Sequence, residues 1–187
     1  MRIDDYNVVK VIEMELMEAI RKRRTIRKYK DDPISENQIK YVLNAARLAP
    51  SWANEQSWKF IIVTKDDVKD RIVRCISPLS GMTLRPAPPI LIIGCADPKK
   101  SGVKDDQEYY LLEMGIAMEH LMLAATEIGL GTAWICAFDE KDIKKILGIP
   151  EDIRVVAITP LGHPVEKIEK VKDRKTLEDI TCNECWR

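Results

Sequence analysis

Seven of the ten residues from position 21 to position 30 are basic, in a chain whose formal net charge is zero. Arg23, Arg24 and Arg27 are spaced so that one helical turn directs at least two guanidinium groups the same way. Planar guanidinium groups bind phosphate oxygens in pairs, and the Thr25 hydroxyl supplies a further donor. The segment predicts a local phosphate site. The alternative is a solvated helix end whose cations complement the helix dipole.

The remaining composition excludes several classes of protein. Hydrophobic residues make up 45% and charged residues 32% of the chain, as in soluble globular proteins. A basic run in a neutral chain does not predict a nucleic-acid surface. Acidic residues interrupt both the first twenty residues and the apolar stretch 109–130, so we expect neither a signal peptide nor a membrane span. We expect a single cytoplasmic domain over residues 1–187, with a charged arm from about residue 165.

The cysteines do not predict a metal site. The chain has five of them, and only Cys182 and Cys185 form a motif, a single C-x-x-C near the C-terminus. Such a motif lacks the second pair that closes a structural zinc site. The pair is either incidental or part of a metal site or disulfide between subunits.

Hydrophobic spacing predicts alternating helices and strands. A first helix is expected over residues 7–24, and a second begins at Ser35, where a capping box precedes an amphipathic run that stops at Pro50. Further helices are predicted at 66–76, 105–128 and 139–147, and strands at 58–64, 90–95, 132–138 and 153–161. The uninterrupted apolar run 90–95 indicates a sheet buried on both faces. The predicted fold class is α/β of the α+β type, with a mixed central sheet flanked by helices.

The long helix is apolar on nearly every face. Such a helix is expected to be buried on all sides. In a domain of this size, either it runs through the core or a second subunit covers one side. Met118 or Met122, whichever of the two faces outward, is the position we expect to contact such a subunit.

Four blocks of the sequence resemble the FMN-dependent nitroreductase family, in the family's order, within residues 14–181. Residues 23–29 (RRTIRKY) resemble its R-R-S-x-R-x-F/Y phosphate motif. Residues 49–58 (APSWANEQSW) are similar to A-P-S-x-x-N-x-Q-P-W. Residues 121–135 match the end of the family's central interface helix. Residues 161–164 (LGHP) and 172–175 (KDRK) are similar to its closing G-x-P and basic pair.

The resemblance implies an FMN-dependent NAD(P)H oxidoreductase. In this interpretation NADH or NADPH reduces FMN, and the flavin N5 then passes hydride in a ping-pong cycle to an electron-poor acceptor such as a nitroaromatic or a quinone. The resemblance also implies a homodimer with FMN at the subunit interface, consistent with the apolar helix and the charged arm. Because the cofactor carries the chemistry, no acid–base residue is required of the protein. The alternative is a flavin-binding carrier or sensor without turnover.

The resemblance also assigns the cofactor-binding residues by position. The phosphate would be bound from both ends of the chain by Arg23, Arg24, Thr25, Arg27, Lys172 and Arg174. The ring would be contacted by Pro50, Ser51, Asn54, Ile135, Cys136 and Ala137. Asn54 would make a polar contact with the edge of the ring, and backbone amides of the 134–139 segment would face flavin N5 and O4. Cys136 would then act through its main-chain N–H and not through its sulfur.

Three of the positions that depart from the family pattern bear on the loop and the ring. Ser57 stands where the family usually has proline, which we expect to free the loop. Ala137 stands where glycine is frequent and would crowd the ring edge. Trp52, which is large for its position, narrows the substrate slot or stacks near the flavin; the alternative is ordinary packing or exposure.

Overall fold

The computed structural model describes residues 14–78, 84–166, 168 and 173–186. The helices of this part of the chain are α1 (Leu16–Lys22), α2 (Glu36–Arg47), α3 (Asp66–Cys75), α4 (Tyr109–Glu127) and α5 (Glu140–Leu147). Its strands are β1 (Trp58–Val63), β2 (Ile90–Ala96), β3 (Val103–Lys104), β4 (Gln107–Glu108), β5 (Gly131–Thr132) and β6 (Arg154–Gly162). The central sheet has the order β1-β2-β6-β5, and β3 and β4 form a separate hairpin.

The predicted α+β fold class is confirmed. The strands of the central sheet pair antiparallel with one another. A parallel pairing occurs at an isolated bridge between Thr25 and Thr132. The capping box also forms as predicted, because the Gln38 N–H donates to Ser35 Oγ at 3.3 Å and the Ser35 N–H donates to Gln38 Oε1 at 3.0 Å.

The sheet is buried on both faces, as the apolar run in β2 predicts. Every residue of β2 is buried. Alternate side chains of a strand point to opposite faces. One face packs with α2 and α4, and the other packs with α3 and α5. Helix α4 crosses β2 closely, since a Cβ added to Gly94 would lie 2.6 Å from Met114 Sδ.

Three element boundaries differ from the prediction. Helix α4 begins at Tyr109 and not at 105, because Asp105 and Asp106 adopt φ values of 50° and 62° in the turn of the β3–β4 hairpin. The predicted strand 132–138 is wrong: it is reduced to β5 and to isolated bridges at Ile135 and Phe138. Helix α1 spans Leu16–Lys22; residues 7–13 of the predicted first helix lie outside the described residues.

Helix α4 is not buried on all sides within this chain, so the alternative in which it runs wholly through the core is wrong, and a cover by a second subunit stays a prediction. Met118 and Met122 are only 0% and 4% exposed, because they face the sheet and α2. Leu111, Leu112 and Ile116 are 45%, 60% and 40% exposed. The helix therefore presents an apolar stripe outward, and neither methionine is positioned to contact a second subunit.

The C-terminal arm lies on the surface. All residues from 173 to 186 are exposed, including the apolar side chains of Leu177, Ile180 and Trp186. Within the described ranges, no helix combines the length and apolarity that a membrane span requires.

Candidate functional site

The basic segment leaves α1 and runs beside the end of the central sheet. The Ile26 N–H donates to the Thr132 carbonyl at 2.8 Å, and the Lys30 N–H donates to the His163 carbonyl at 2.8 Å. The Tyr29 hydroxyl donates to the Ile26 carbonyl at 2.6 Å, and burial raises the pKa of Tyr29. The basic segment is therefore held against Thr132 at residue 26, and against residues 163–165, where the C-terminal arm begins, at residues 28–30.

The arginine side chains of this segment differ in their roles. Arg24 turns back, and its Nη1 donates to the carbonyls of Arg21 at 2.5 Å and Arg23 at 2.8 Å. It therefore caps the end of α1, as the helix-end alternative predicts for this residue. Arg23 Nε lies 3.9 Å from Glu119 Oε1 on α4, and Arg27 is exposed. Arg23 and Arg27 are the stronger candidates for phosphate binding.

The C-terminal basic pair is only partly described. Arg174 is exposed in the arm, whereas Lys172 lies outside the described residues. Near the other end of the segment, burial raises the pKa of Glu119, and the charges of Arg23 and His120 oppose that rise.

The loop before β1 has an unusual backbone. Ala53, Asn54 and Gln56 have φ values of 48°, 60° and 50°, a left-handed conformation that is costly for residues other than glycine. Ser51 Oγ accepts the Gln56 N–H at 3.0 Å and so closes the loop on itself. Pro50 and Asn54 are exposed. The loop therefore presents the Asn54 amide to the outside.

A buried carboxylate beneath this loop was missed in the sequence. Glu113 Oε1 accepts from the Trp52 N–H at 3.0 Å and from Ser101 Oγ at 2.8 Å, and its Oε2 accepts from Ser57 Oγ at 2.6 Å. Ser57 is 5% exposed, and its hydroxyl binds the loop to Glu113. The expectation that serine in place of proline makes the loop more mobile is therefore wrong. The signal in the sequence was a single acid among the apolar residues at the start of α4.

Trp52 packs on the β3–β4 hairpin. A Cβ added to Gly102 would lie 3.0 Å from the Trp52 ring and 2.7 Å from the ring of Tyr109. The indole is 50% exposed. The structure favours packing for one face of this ring and leaves the rest of it accessible.

The turn after β5 determines which backbone amides of residues 135–137 remain available to donate to a ligand. The Ile135 N–H donates to the Ile158 carbonyl at 3.0 Å and its carbonyl accepts from Ile158 at 2.9 Å, so its amide is used within the sheet. The amides of Cys136 and Ala137 are then the better candidates for a ligand. Cys136 is an exposed residue, yet partial burial of its sulfur raises the thiol pKa. A neutral thiol is a poor nucleophile, which agrees with a main-chain role.

The loop and the basic segment lie toward opposite ends of the sheet. The loop leads into Trp58, which pairs with Ala96, and Ala96 pairs with Arg154 at the start of β6. The basic segment runs beside the end of β6, near Gly162. Strand β6 has 9 residues and spans about 26 Å at about 3.3 Å per step.

The two segments also approach α4 on different faces. The loop is bound at Glu113 and the basic segment approaches Glu119. Six positions along a helix correspond to a rise of about 9 Å and to faces about 120° apart. The structure therefore brings residues 28–30 to residues 163–165, but it does not gather the loop and the basic segment in one cleft.

Exposed apolar side chains border α4 between these segments. They are Leu16, Met17, Ile20, Leu48, Leu111, Leu112, Ile116 and Trp134. Helix α1 packs on α4, and a Cβ on Gly115 would lie 4.0 Å from the Trp134 ring. Large exposed apolar areas mark interaction surfaces. We call these side chains the α4 surface.

A cavity of about 440 Å³ lies between α1, α2 and α4. Its lining contains none of the predicted cofactor residues: Met14, Leu16, Ala19, Tyr41, Ala45, Leu48, His120, Leu123, Ala124 and Glu127. We do not assign the cofactor to it. Among the described residues, no group of three or more His, Cys, Asp and Glu side chains is placed to hold a metal ion.

Comparison with known protein families shows which family the chain belongs to. The model of the nitroreductase family matches residues 20–80 and 77–163. The chain belongs to the nitroreductase family. A protein of Methanothermobacter thermautotrophicus, provisionally named NADH dehydrogenase/NAD(P)H nitroreductase, is 34% identical over 161 residues, which cover 84% of this chain and 81% of the relative. The chain is an oxidoreductase enzyme.

Solved structures of nitroreductases share the fold. A nitroreductase family protein from Clostridium novyi NT has 39% identity and a TM-score of 0.77, covering 83% of this chain and 89% of its own. An FMN-dependent nitroreductase from Clostridium difficile R20291 has 26% identity and a TM-score of 0.79, covering 91% and 99%. The family match includes the basic segment, the 50–57 loop and the 134–137 turn, and it ends before Lys172 and Arg174.

Proposed function

We propose that this nitroreductase-family chain is an FMN-dependent NAD(P)H oxidoreductase. The observation that carries the proposal is the donor set in the family-matched segments: Arg23 and Arg27 in the basic segment, the exposed Asn54, and the amides after Ile135. These groups suit a phosphate and the polar edge of a flavin ring. One similar structure is named an FMN-dependent nitroreductase.

FMN, when bound, supplies the redox chemistry by accepting hydride from NADH or NADPH and reducing an electron-poor acceptor such as a nitroaromatic or a quinone. The chain's own residues would bind FMN and orient its ring. Arg23, Arg27 and Thr25 would hold the phosphate, with Arg174 and Lys172 as further candidates. Asn54 would orient the ring, and the Cys136 amide would donate to its edge.

We further propose a homodimer with the cofactor site between subunits. One chain presents the loop and the basic segment toward opposite ends of β6, a strand of about 26 Å, with the α4 surface between them. In a two-fold dimer the same surface of both copies meets. Contact through the α4 surface would place the loop of the second copy near the basic segment of the first. The exposed C-terminal arm is suited to reach across such a contact.

No acid–base side chain is assigned to the reaction. His120 Nδ1 lies 3.3 Å from the Ala45 carbonyl, a contact that joins α4 to α2. Its role is therefore structural in this proposal.

The absorption spectrum of the purified protein tests the function. We expect a yellow protein whose flavin band bleaches when NADH or NADPH is added without oxygen, and returns when a quinone or nitroaromatic is added. A yellow protein that does not bleach would support the carrier alternative. A protein that neither carries FMN nor binds added FMN would contradict the proposal.

The role of Cys136 gives a separate prediction. Cys136→Ser is expected to keep most of the NAD(P)H oxidation, because the proposed contact is made by the main-chain amide. Steady-state oxidation with a quinone acceptor measures this, with the flavin content of both proteins matched. A loss of several orders of magnitude with FMN still bound would indicate thiol chemistry and refute the assignment.

A further inference from the structure

One buried carboxylate holds both flanks of the loop that carries Asn54. Glu113 is 4% exposed. It accepts the Trp52 N–H at 3.0 Å through Oε1 and the Ser57 hydroxyl at 2.6 Å through Oε2. Trp52 stands immediately before residues 53–56 and Ser57 immediately after them. A single side chain of α4 therefore fixes where this stretch begins and where it ends.

The stretch between these two contacts needs such support. Ala53, Asn54 and Gln56 all adopt positive φ. Left-handed backbone in residues other than glycine persists only where the surrounding structure imposes it. The Ser51 hydroxyl contributes one contact inside the loop, from the Gln56 N–H at 3.0 Å. The contacts with Glu113 connect the loop to the core of the domain.

The same carboxylate reaches the β3–β4 hairpin. Ser101 Oγ donates to Glu113 Oε1 at 2.8 Å, and the next residue, Gly102, packs close to the Trp52 ring. The loop and the hairpin are therefore bound at one point on α4. The Ser57 side chain, which stands where the family pattern has proline, supplies one of the contacts.

On the basis of the proposed function, we propose that Glu113 is a positioning residue for FMN binding. It sets the conformation of residues 52–57, which presents the Asn54 amide outward, and it acts through the loop without touching the cofactor. A carboxylate is suited to this role because its two oxygens accept several hydrogen bonds at once. An apolar side chain there would leave the Trp52 N–H and the hydroxyls of Ser57 and Ser101 without their acceptor.

Four variants of the full-length protein test the proposal. Glu113→Ala is expected to weaken FMN binding about tenfold or more and to alter the visible spectrum of the bound flavin. Glu113→Gln is expected to restore most of the affinity, because its oxygen can accept the Trp52 N–H while its NH2 donates to Ser57 Oγ. Ser57→Ala is expected to weaken binding a few-fold, and this effect should vanish when Glu113→Ala is already present.

The matched control is Glu127→Ala. Glu127 lies on the same helix and also accepts a short hydrogen bond, from the Tyr41 hydroxyl at 2.6 Å, but it does not contact the loop. We expect the control to keep the affinity and the flavin spectrum of the parent protein. An equal loss of FMN in Glu127→Ala and Glu113→Ala would mean general destabilisation and would overturn the proposal.

Hydrogen exchange of the FMN-free protein separates this inference from the proposed function. The amides of residues 52–57 should exchange faster in Glu113→Ala than in the parent, whether or not FMN binds.

If the parent protein binds no FMN, the proposed function fails, and positioning for FMN fails with it, whatever the exchange shows. If the parent binds FMN and Glu113→Ala binds it equally with an unchanged spectrum, only the positioning role fails. Should Glu113→Ala not fold, unchanged FMN affinity and unchanged loop exchange in Ser57→Ala would overturn the proposal, whereas a lower affinity together with faster loop exchange would support it.

Discussion

Ile116→Asp is expected to produce a monomer that does not retain FMN. Ile116 lies on the outer side of α4, 40% exposed, at the centre of the surface that we assign to the second subunit. An obligate interface buries about 2,000–5,000 Å² in total and is apolar at its centre. A carboxylate there would be buried without a partner, at a cost of several kcal/mol. Light scattering measures the mass, and absorbance of the eluted protein measures its flavin.

Ile62→Asp is the matched control. Ile62 has nearly the same exposure, 38%, but it lies on β1 at the edge of the sheet. We expect this variant to stay dimeric and yellow. A parent protein that is monomeric and yellow at micromolar concentration would refute the interface and, with it, the shared cofactor site.

Removing either Arg23 or Arg27 is expected to release the cofactor from a folded protein. A charge-assisted contact to a phosphate contributes about 1.5–3 kcal/mol, so Arg23→Ala and Arg27→Ala should each weaken FMN binding about ten- to a hundredfold. Titration of the FMN-free protein with FMN measures the affinity, and circular dichroism checks the fold.

Arg24→Ala distinguishes phosphate binding from helix capping. Its guanidinium group donates to the carbonyls of Arg21 and Arg23, so its loss should lower the melting temperature while the FMN affinity changes only a few-fold. If Arg24→Ala lost the cofactor while Arg23→Ala and Arg27→Ala kept it, our division of roles would be reversed. Unchanged affinity in both of the latter variants would remove the phosphate assignment.

Local signals in the sequence predicted those elements whose determinants lie close together in the chain. The capping box at Ser35 located the start of α2, and the apolar run of β2 predicted burial on both faces. The hairpin at Asp105 and Asp106 was missed because aspartate adopts the left-handed conformation without the glycine that usually signals it. The predicted helix 105–128 therefore included the turn at Asp105 and Asp106, whereas α4 begins at Tyr109.

The candidate site was predicted only as a set of segments. Composition cannot tell whether an apolar residue of α4 faces its own sheet, as Met118 does, or the outside, as Ile116 does. Only the packing of α4 against the sheet decides that. Glu113 was missed for a related reason: its partners Trp52, Ser57 and Ser101 come from other parts of the chain, and no local pattern connects them to it.

The pairing of Lys30 with His163 also constrains how the protein matures in the cell. The basic segment is made early in synthesis, but the backbone that holds it arrives only with the end of β6. During synthesis the early arginines have no such support, because domains fold as units once their sequence is available. The phosphate site that we propose is therefore complete only after the end of β6 has left the ribosome.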